Sequence, residues 1–276
     1  LEARYLQIFK GDEIEFPEDG YQGEDIKDLA KEYADLNGDS LVNVSAEERK
    51  KALVDYALPK NIKKMQADME KYKIFYDKWF FESELHKSGA VKAVVDLLTE
   101  KGLTYEKEGA VWYKNKEVLT QKLLKEGKSQ KYIDNLELKD DVLIRQNGNP
   151  TYFTADIAYH KNKFDRGFTT LIDVWGADHH GHVMRMKGAM DAIGYDGDKL
   201  NVVLMQLVKL VKDGELVRMS KRTGKAIQLG DLLDEVPVDS ARFLFNTKEA
   251  NTQMDFDLDL AVSQDNQNPV YYVQYA

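Results

Sequence analysis

The chain has 276 residues, with 39 Lys and Arg against 48 Asp and Glu, five His and no Cys, so its formal net charge is −9. The absence of cysteine excludes a disulfide scaffold, a thiolate zinc site and a cysteine nucleophile. Hydrophobic residues make up 43% and charged residues 32%, a composition typical of a globular chain rather than a disordered or membrane-spanning one. The acidic excess also disfavours a protein that coats nucleic acid non-specifically, although it is compatible with a local basic site.

Both ends of the sequence carry helical spacing. Apolar residues at Leu1, Tyr5 and Phe9 follow this spacing with no capping residue ahead of them, and a second apolar-faced segment begins near Val270 and is not closed before Ala276. We therefore expect the sequence to be an excised piece of a longer chain.

The first third of the sequence predicts helices around an acidic excursion. Residues 12–39 are acidic and rich in turn formers, with one short helix predicted near residues 24–33. Ser45 and Glu48 form a capping box that predicts the start of a further helix. Pro59 is expected to break or kink that helix before it resumes towards Tyr72.

The next block predicts a helix followed by a hairpin. Apolar residues predict the helix over 89–101, and segments 105–108 and 111–114 flank Gly109-Ala110 as the strands of a hairpin. Together with the helices before it, this block is predicted to be an inserted α+β subdomain.

From Asp141 onward, strands and helices alternate. Strands are predicted at 142–145, 171–175 and 202–204, with one helix begun by Thr154 and another closed by Gly194. This β-α-β-α-β order predicts a parallel sheet with ligands bound at the carboxyl ends of its strands.

The densest cluster of chemically active residues is Gly-Ala-Asp-His-His-Gly-His at 176–182, between a predicted strand and a predicted helix. Free backbone N–H groups at the helix start attract anions, and Asp178 could accept hydrogen bonds from ribose hydroxyls. A metal site is the second interpretation, since His179, His180 and His182 are also ligand types, although neighbouring helical positions point to different faces. A plain helix start is the third, and all three stay open.

The second cluster is Val-Arg-Met-Ser-Lys-Arg-Thr-Gly at 217–224, after a hairpin turn predicted at 212–215. Segment 209–225 has six basic residues against two acidic ones, a local balance of +4 in an acidic chain. Such a run is most often a solvated surface. Small hydroxyl residues, a closing Gly and basic groups are also what a mobile polyphosphate-gripping loop needs.

The third cluster covers residues 152–160. Tyr152 and Asp156 flank a strand-to-helix junction, so both are placed to face the same crevice as Gly176. In the alternative interpretation, Thr154 caps the helix and Asp156 only complements its dipole.

Three further site signatures are excluded. Asp255-Phe-Asp-Leu-Asp259 begins like a calcium loop, but the sixth position is Leu260 rather than Gly and the twelfth is Asn266 rather than Glu. The glycine patterns of P-loop and dinucleotide-binding proteins are also absent.

Taken together, these residues resemble a class I aminoacyl-tRNA synthetase, and in particular the bacterial-type arginyl-tRNA synthetases. Arg218-Met-Ser-Lys-Arg222 is similar to the Lys-Met-Ser-Lys-Ser signature of the class. Segments 152–160, 176–181, 255–260 and 268–276 are similar to stretches typical of the arginyl enzymes. The first class signature, His-x-Gly-His, is absent, and we expect it upstream in the parent.

The resemblance implies an α/β fold. Its core would be part of the Rossmann-like parallel sheet of the class I synthetases, with an inserted α+β subdomain. Residues 1–138 would hold the end of the first Rossmann half and the insertion. Residues 139–229 would form the second half with the signature loop, and residues 230–276 a helical stem leading to an absent anticodon-binding domain.

The resemblance also implies a reaction, in which arginine is activated by ATP to arginyl-adenylate and then transferred to tRNA(Arg). Lys221 would neutralise charge on the phosphates as the catalytic cation, and Ser220 would hold the loop against the nucleotide. The residues expected to bind ATP are Gly176, Asp178, His179, Val208, Met219 and Lys221. Tyr152 and Asp156 match positions that bind arginine, and a carboxylate suits a guanidinium because it accepts two parallel hydrogen bonds.

ATP would enter as its Mg²⁺ complex, and we expect no tightly bound protein metal. The expected partners are arginine, ATP and tRNA(Arg), with no membrane, and the parent is expected to be monomeric and cytoplasmic. The piece is expected to be inactive by itself. The alternatives are a nucleotide-binding module that has lost catalysis and a metallohydrolase that uses the cluster at 178–182.

Overall fold

The computed structural model describes residues 1–18, 20–217 and 227–276, which form two compact units. The first unit comprises Leu1–Tyr76, Val208–Lys248 and Met254–Ala276, and the second comprises Asp77–Leu207 and Glu249–Gln253. Each unit is built from segments that are separated along the chain. The division predicted at residues 138 and 229 concerns continuous domains, and it stays a prediction.

The helices within the described residues, in chain order, are α1 Glu2–Lys10, α2 Glu24–Asn37, α3 Ala46–Lys71, α4 Glu82–Lys87, α5 Ala90–Glu100, α6 Asn115–Lys125, α7 Gln130–Asp134, α8 Tyr152–Asp165, α9 His180–Ile193, α10 Leu229–Glu235, α11 Val238–Phe245, α12 Leu258–Val262 and α13 Pro269–Tyr275. The strands are β1 Thr104–Lys107, β2 Ala110–Tyr113, β3 Asp141–Ile144, β4 Leu171–Gly176, β5 Leu200–Met205, β6 Val208–Lys212, β7 Glu215–Leu216 and β8 Met254–Asp257.

Two apolar clusters lie among the described residues of the first unit. One lies where α1, α2 and α3 meet around Tyr5, whose buried hydroxyl donates to the Gly38 carbonyl at 2.8 Å and accepts from the Leu41 N–H at 3.1 Å. The other surrounds Phe256 in a sheet of order β7-β6-β8, where β6 pairs with β7 antiparallel and with β8 parallel. The hairpin predicted at 212–215 is therefore confirmed.

Helix α3 begins as predicted, because the Ser45 side chain accepts a hydrogen bond from the Glu48 N–H at 3.2 Å. The expected break at Pro59 is wrong, since the helix runs on to Lys71. Proline removes one backbone donor, but the helix continues through Pro59 to its full 26 residues, and the alternative of a kink stays a prediction. Contacts of the second half with α10 also hold it in place.

In the second unit the predicted hairpin is confirmed, with Thr104 opposite Tyr113 and a turn at Glu108 and Gly109. Both turn residues have positive φ, 54° and 74°, which is the backbone of a tight two-residue hairpin loop. Strand β3 then pairs antiparallel with β2. The parallel pairing expected for this strand is wrong, because a strand-helix-strand order does not say which free strand edge is nearer, and β2 offers one.

Strands β4 and β5 do form the predicted parallel pair, in register from Leu171 opposite Leu200 to Gly176 opposite Met205. The crossover helix α9 packs Met186 and Met190 into the core and ends at Gly194, whose φ of 100° is left-handed. The predicted α/β class with a partial parallel sheet and an α+β part is confirmed.

Candidate active site

A cleft of about 770 Å³ opens in the second unit at the starts of α8 and α9. Its lining includes Tyr152, Asp156, Asp178, His179, His182 and Arg185. The fold thus brings together four of the residues predicted from the sequence to bind arginine or ATP.

The start of α8 is fixed by Thr151, whose hydroxyl accepts from the Thr154 N–H at 3.4 Å and donates to the Val142 carbonyl at 2.8 Å. The interpretation of Thr154 as the cap is therefore wrong by one turn. Thr154 is instead buried, and its hydroxyl donates to the Leu143 carbonyl at 2.8 Å. This start determines where the cleft-facing side of α8 lies.

Two predicted arginine-binding residues lie four positions apart on α8, so they share one helix face. Tyr152 is 79% exposed, and the Arg145 guanidinium lies 5.9 Å from the centre of its ring. The side chain of Asp156 is 44% exposed. An aromatic face and a carboxylate therefore meet at the wall of the cleft, and both are group types that recognise guanidinium.

The predicted adenosine-contacting residues lie at the junction of β4 and α9. Gly176 ends β4, and Ala177–His179 form one turn of 3₁₀-helix before α9 begins. The side chains of Asp178 and His179 are largely exposed, with Oδ2 and Nε2 3.7 Å apart. Both are accessible to a ligand that enters the cleft.

His182 connects the two helix starts. Its Nε2 lies 3.3 Å from Oδ2 of Asp156, and its Nδ1 lies 2.8 Å from Nη2 of Arg185. Arg185 in turn donates through Nη1 to Oδ1 of Asp141 on β3. Asp156, His182, Arg185 and Asp141 thus form a continuous chain of hydrogen bonds along the cleft, which we call the cleft relay.

The inner end of the cleft relay is poorly solvated. Burial raises the pKa of Asp141 above its usual range, and the opposing charge and hydrogen bond of Arg185 only partly offset this effect. Oδ2 of Asp141 and Nε of Arg185 are buried without a hydrogen-bond partner among the described residues. The pairing of Asp141 with Arg185 therefore compensates a carboxylate that is largely removed from water.

A second histidine, His160 on α8, holds the backbone beside the cleft. Nδ1 of His160 donates to the carbonyl of Asp156 at 2.7 Å, and its Nε2 bonds to Oδ2 of Asp173 on β4. Lys163 donates to the other oxygen of Asp173 at 2.7 Å. These contacts fasten the backbone at Asp156 to the parallel strand pair.

The cluster at 178–182 does not converge as a metal site would. In the part of the chain that the structure describes, no group of three or more His, Asp or Glu side chains is placed to hold a metal ion. His182 is engaged at both ring nitrogens within the cleft relay. This geometry gives no support to the metallohydrolase interpretation.

The remaining predicted residues belong to the first unit or lie outside the described residues. Val208 is half-buried in β6, where it pairs with Met254. Met219, Ser220 and Lys221 lie outside the described residues, as does the rest of segment 218–226. Their predicted roles therefore stay predictions.

None of the described helices is both long enough and apolar enough to cross a bilayer.

The fold and the cleft define an α/β protein with a polar site at the carboxyl end of a parallel strand. The family model described as "tRNA synthetases class I (R), catalytic domain" matches residues 23–266. The chain belongs to this family, as the resemblance implied.

The relatives agree with this assignment. The chain is 55% identical over its whole length to an arginine–tRNA ligase of Ruminiclostridium cellulolyticum, but it covers 46% of that protein. It is 35% identical to a Campylobacter jejuni structure assigned to arginyl-tRNA synthetase, with a TM-score of 0.82, covering 99% of this chain and 56% of the other. The Thermus thermophilus arginyl-tRNA synthetase shares the fold at 18% identity, with a TM-score of 0.65 and coverage of 99% and 53%. The chain thus spans about half the length of the curated relatives it matches.

Sequence reasoning missed most of the cleft relay. The sequence indicates His182 only as a candidate metal ligand, and it does not indicate Arg185 or Asp141 as site residues. The spacing of His182 and Arg185, three residues apart on a helix, places them on one face and was the available signal. Their partners on β3 and α8 depend on the tertiary fold, which the spacing does not reveal.

Proposed function

We propose that this chain provides the arginine-binding half of an arginine–tRNA ligase active site, which activates arginine with ATP and transfers it to tRNA(Arg). The observation that carries the proposal is the placement of Tyr152 and Asp156 together in one cleft, in a chain of this family. In this proposal, Asp156 binds the guanidinium through charge and hydrogen bonds, and Tyr152 offers its ring face.

The adenosine would lie at the β4–α9 junction beside Gly176, Asp178 and His179. The partly unpaired N–H groups at the start of a helix suit anions, and the exposed carboxylate of Asp178 suits ribose hydroxyls as hydrogen-bond donors. Val208 and Met219 are proposed to border the nucleotide, with Ser220 holding the loop. Lys221 would neutralise the negative charge that builds on the β- and γ-phosphates as the arginine carboxylate attacks the α-phosphate and pyrophosphate leaves.

The remaining partners follow from the same proposal. ATP is expected as its Mg²⁺ complex, so the metal enters with the substrate. The full-length protein that carries this sequence would act as a monomer in the cytoplasm, where arginine, ATP and tRNA(Arg) meet.

The arginine site is tested by Asp156→Asn in the full-length protein that carries this sequence. We expect arginine affinity, measured by calorimetry, to fall at least about tenfold, since an amide lacks the charge and offers one acceptor oxygen. Asp165→Asn is the matched control, because Asp165 lies on the same helix and pairs with Lys161 outside the cleft. Unchanged affinity in Asp156→Asn would reject Asp156 as the guanidinium partner.

The activation step is tested by Lys221→Ala in the same protein. Arginine-dependent exchange of pyrophosphate into ATP, measured with tRNA(Arg) present, should slow by much more than arginine affinity falls, because the lost charge acts mainly in the transition state. Lys199→Ala, an exposed change elsewhere, should leave both quantities unchanged. Equal losses of rate and arginine affinity would place Lys221 in ground-state binding instead.

A further inference from the structure

We propose that His182 and Arg185 are positioning residues for Asp156: Arg185 fixes the tautomer of His182 that donates from Nε2 to the Asp156 carboxylate. This inference rests on the proposed role of Asp156 in binding arginine. It adds two residues that determine how the carboxylate of Asp156 is presented to the ligand.

The tautomer follows from donor and acceptor types. A guanidinium carries only donors, so Nη2 of Arg185 at 2.8 Å requires a lone pair on Nδ1 of His182. In a neutral imidazole the proton then lies on Nε2, and Nε2 is the atom 3.3 Å from Oδ2 of Asp156. An ionised carboxylate only accepts, so both contacts require the same tautomer.

The ring of His182 is also held in orientation by its neighbours. It lies between Phe153 and Trp175, with ring centres 5.5 Å and 5.2 Å away, and its side chain is 14% exposed. Arg185 is itself fixed by Asp141 and lies over the ring of Phe153 at 5.4 Å. The donor at Nε2 therefore points at Asp156 before any ligand arrives, which reduces the ordering cost of binding.

Charge supports the same assignment. With His182 neutral, the cleft relay contains two carboxylates and one guanidinium, a net charge of −1 that matches one incoming cation. With a second proton on His182 the net charge would be zero, and Nδ1 would present a donor to the donor of Arg185. The pairing of Arg185 with Asp141 thus keeps the charge of Asp156 available for a ligand.

The first test compares His182→Asn with His182→Gln in the full-length protein that carries this sequence. The glutamine amide reaches the position of Nε2 and can donate to Asp156, whereas asparagine reaches only the position of Nδ1. We expect His182→Asn to raise the KM for arginine in pyrophosphate exchange about tenfold with little change in kcat, the loss of one hydrogen bond to a charged group. We expect His182→Gln to stay within about threefold of wild type.

The controls separate positioning from packing. Both variants lose the imidazole between Phe153 and Trp175, so equal losses in both would overturn the positioning role. His86→Asn, which removes a histidine paired with Glu82 outside the cleft at 3.2 Å, should leave the KM unchanged. Melting temperatures show whether each variant is folded.

The second test measures the tautomer of His182 in the absence of any ligand. In long-range ¹⁵N–¹H spectra of protein labelled with ¹⁵N-histidine, the signal of His182 is identified as the one that disappears in His182→Gln. We expect that signal to have the pattern of an Nε2–H tautomer. A proton on Nδ1, alone or with Nε2, would overturn the proposal whether or not arginine binds. If instead the tautomer is as expected but wild-type protein does not bind arginine, the proposed function fails, and the positioning role fails with it.

Discussion

Two of the histidine–carboxylate pairs in the second unit, His160 with Asp173 and His182 with Asp156, differ in which carboxylate oxygens they leave open to a ligand. In the pair of His160 with Asp173, the side chains are 4% and 6% exposed, and both carboxylate oxygens have partners, His160 and Lys163. In the pair of His182 with Asp156, they are 14% and 44% exposed, and the carboxylate lines a cleft. The same residue types are therefore structural where every acceptor is used, and suited to binding where an oxygen faces a cleft.

The groups that face the two histidine rings differ as well. Both ring nitrogens of His160 face acceptors, the Asp156 carbonyl and the Asp173 carboxylate. His182 faces a donor and an acceptor, which favours the neutral ring. Because His160 holds the backbone of Asp156 and His182 holds its side chain, the two pairs meet at one residue.

The largest expected effect comes from breaking the buried pair. Asp173→Ala leaves His160 and Lys163 without their shared carboxylate, and removal of one partner from a buried ion pair typically costs about 3 to 5 kcal/mol in the free energy of unfolding. Urea denaturation measures this loss. Asp178→Ala, which removes an exposed carboxylate just beyond β4, should change the same free energy by less than about 0.5 kcal/mol. Comparable losses in both variants would show that burial does not distinguish these carboxylates.

The pH dependence of stability should reflect the lowered pKa of Asp173. Burial alone would raise this pKa, but the hydrogen bond and charge of His160, followed by those of Lys163, outweigh burial and hold it below the usual range. The unfolded chain, with a carboxyl pKa of about 3.9, then binds more protons than the folded one. The stability that Asp173 contributes is full above about pH 4 and is lost as the pH falls through its folded pKa.

Melting temperatures measured from about pH 6 downward should therefore fall less steeply in Asp173→Asn than in wild type. Asp141→Asn is the informative counterpart, because burial raises the pKa of Asp141. Its contribution is present below the unfolded pKa and is lost as the pH rises through the folded pKa, so the variant should differ from wild type in the opposite direction. The same direction of change in both variants would contradict this assignment.

A smaller effect is expected at the cap that sets the start of α8. Thr151→Ala removes the acceptor for the Thr154 N–H and the donor to the Val142 carbonyl, and loss of such a cap costs about 1 kcal/mol. Because α8 carries both Tyr152 and Asp156, the arginine KM should also rise, whereas Thr151→Ser should restore both quantities. Ser45→Ala at the start of α3, measured in parallel, should lower stability by a similar amount and leave the KM unchanged.

The contrast between these caps shows what the sequence predicts and what it does not. Ser45 with Glu48, Gly194 and the turn at Gly109 were readable because each acts within a few residues of its partners. Thr151 was missed because Thr154 fits a local cap equally well, and the choice depends on contacts with β3.

Long-range pairing accounts for the larger errors. Chain order predicts a parallel partner for β3, but it does not say which strand edge is free. In the fold, β2 offers that edge and β3 pairs with it antiparallel. Tyr152 and Asp156 could be proposed from the family resemblance, whereas the link from His182 through Arg185 to Asp141 joins separate elements. Only the folded chain shows that link.

The smallest effect is expected at the far end of α8, where Asp165 can be compared with Asp173. Asp165 accepts from Lys161 at 2.6 Å through Oδ2 and from the Tyr195 hydroxyl through Oδ1, and the side chains of Asp165 and Lys161 are 47% and 32% exposed. Because water already solvates these charges, Asp165→Asn should lower the free energy of unfolding by no more than about 0.5 kcal/mol in urea denaturation, and less at high salt. Both carboxylate oxygens are engaged in Asp165 as in Asp173, so a cost near that of Asp173→Ala would mean that the number of engaged oxygens, rather than burial, separates structural from binding carboxylates in this unit.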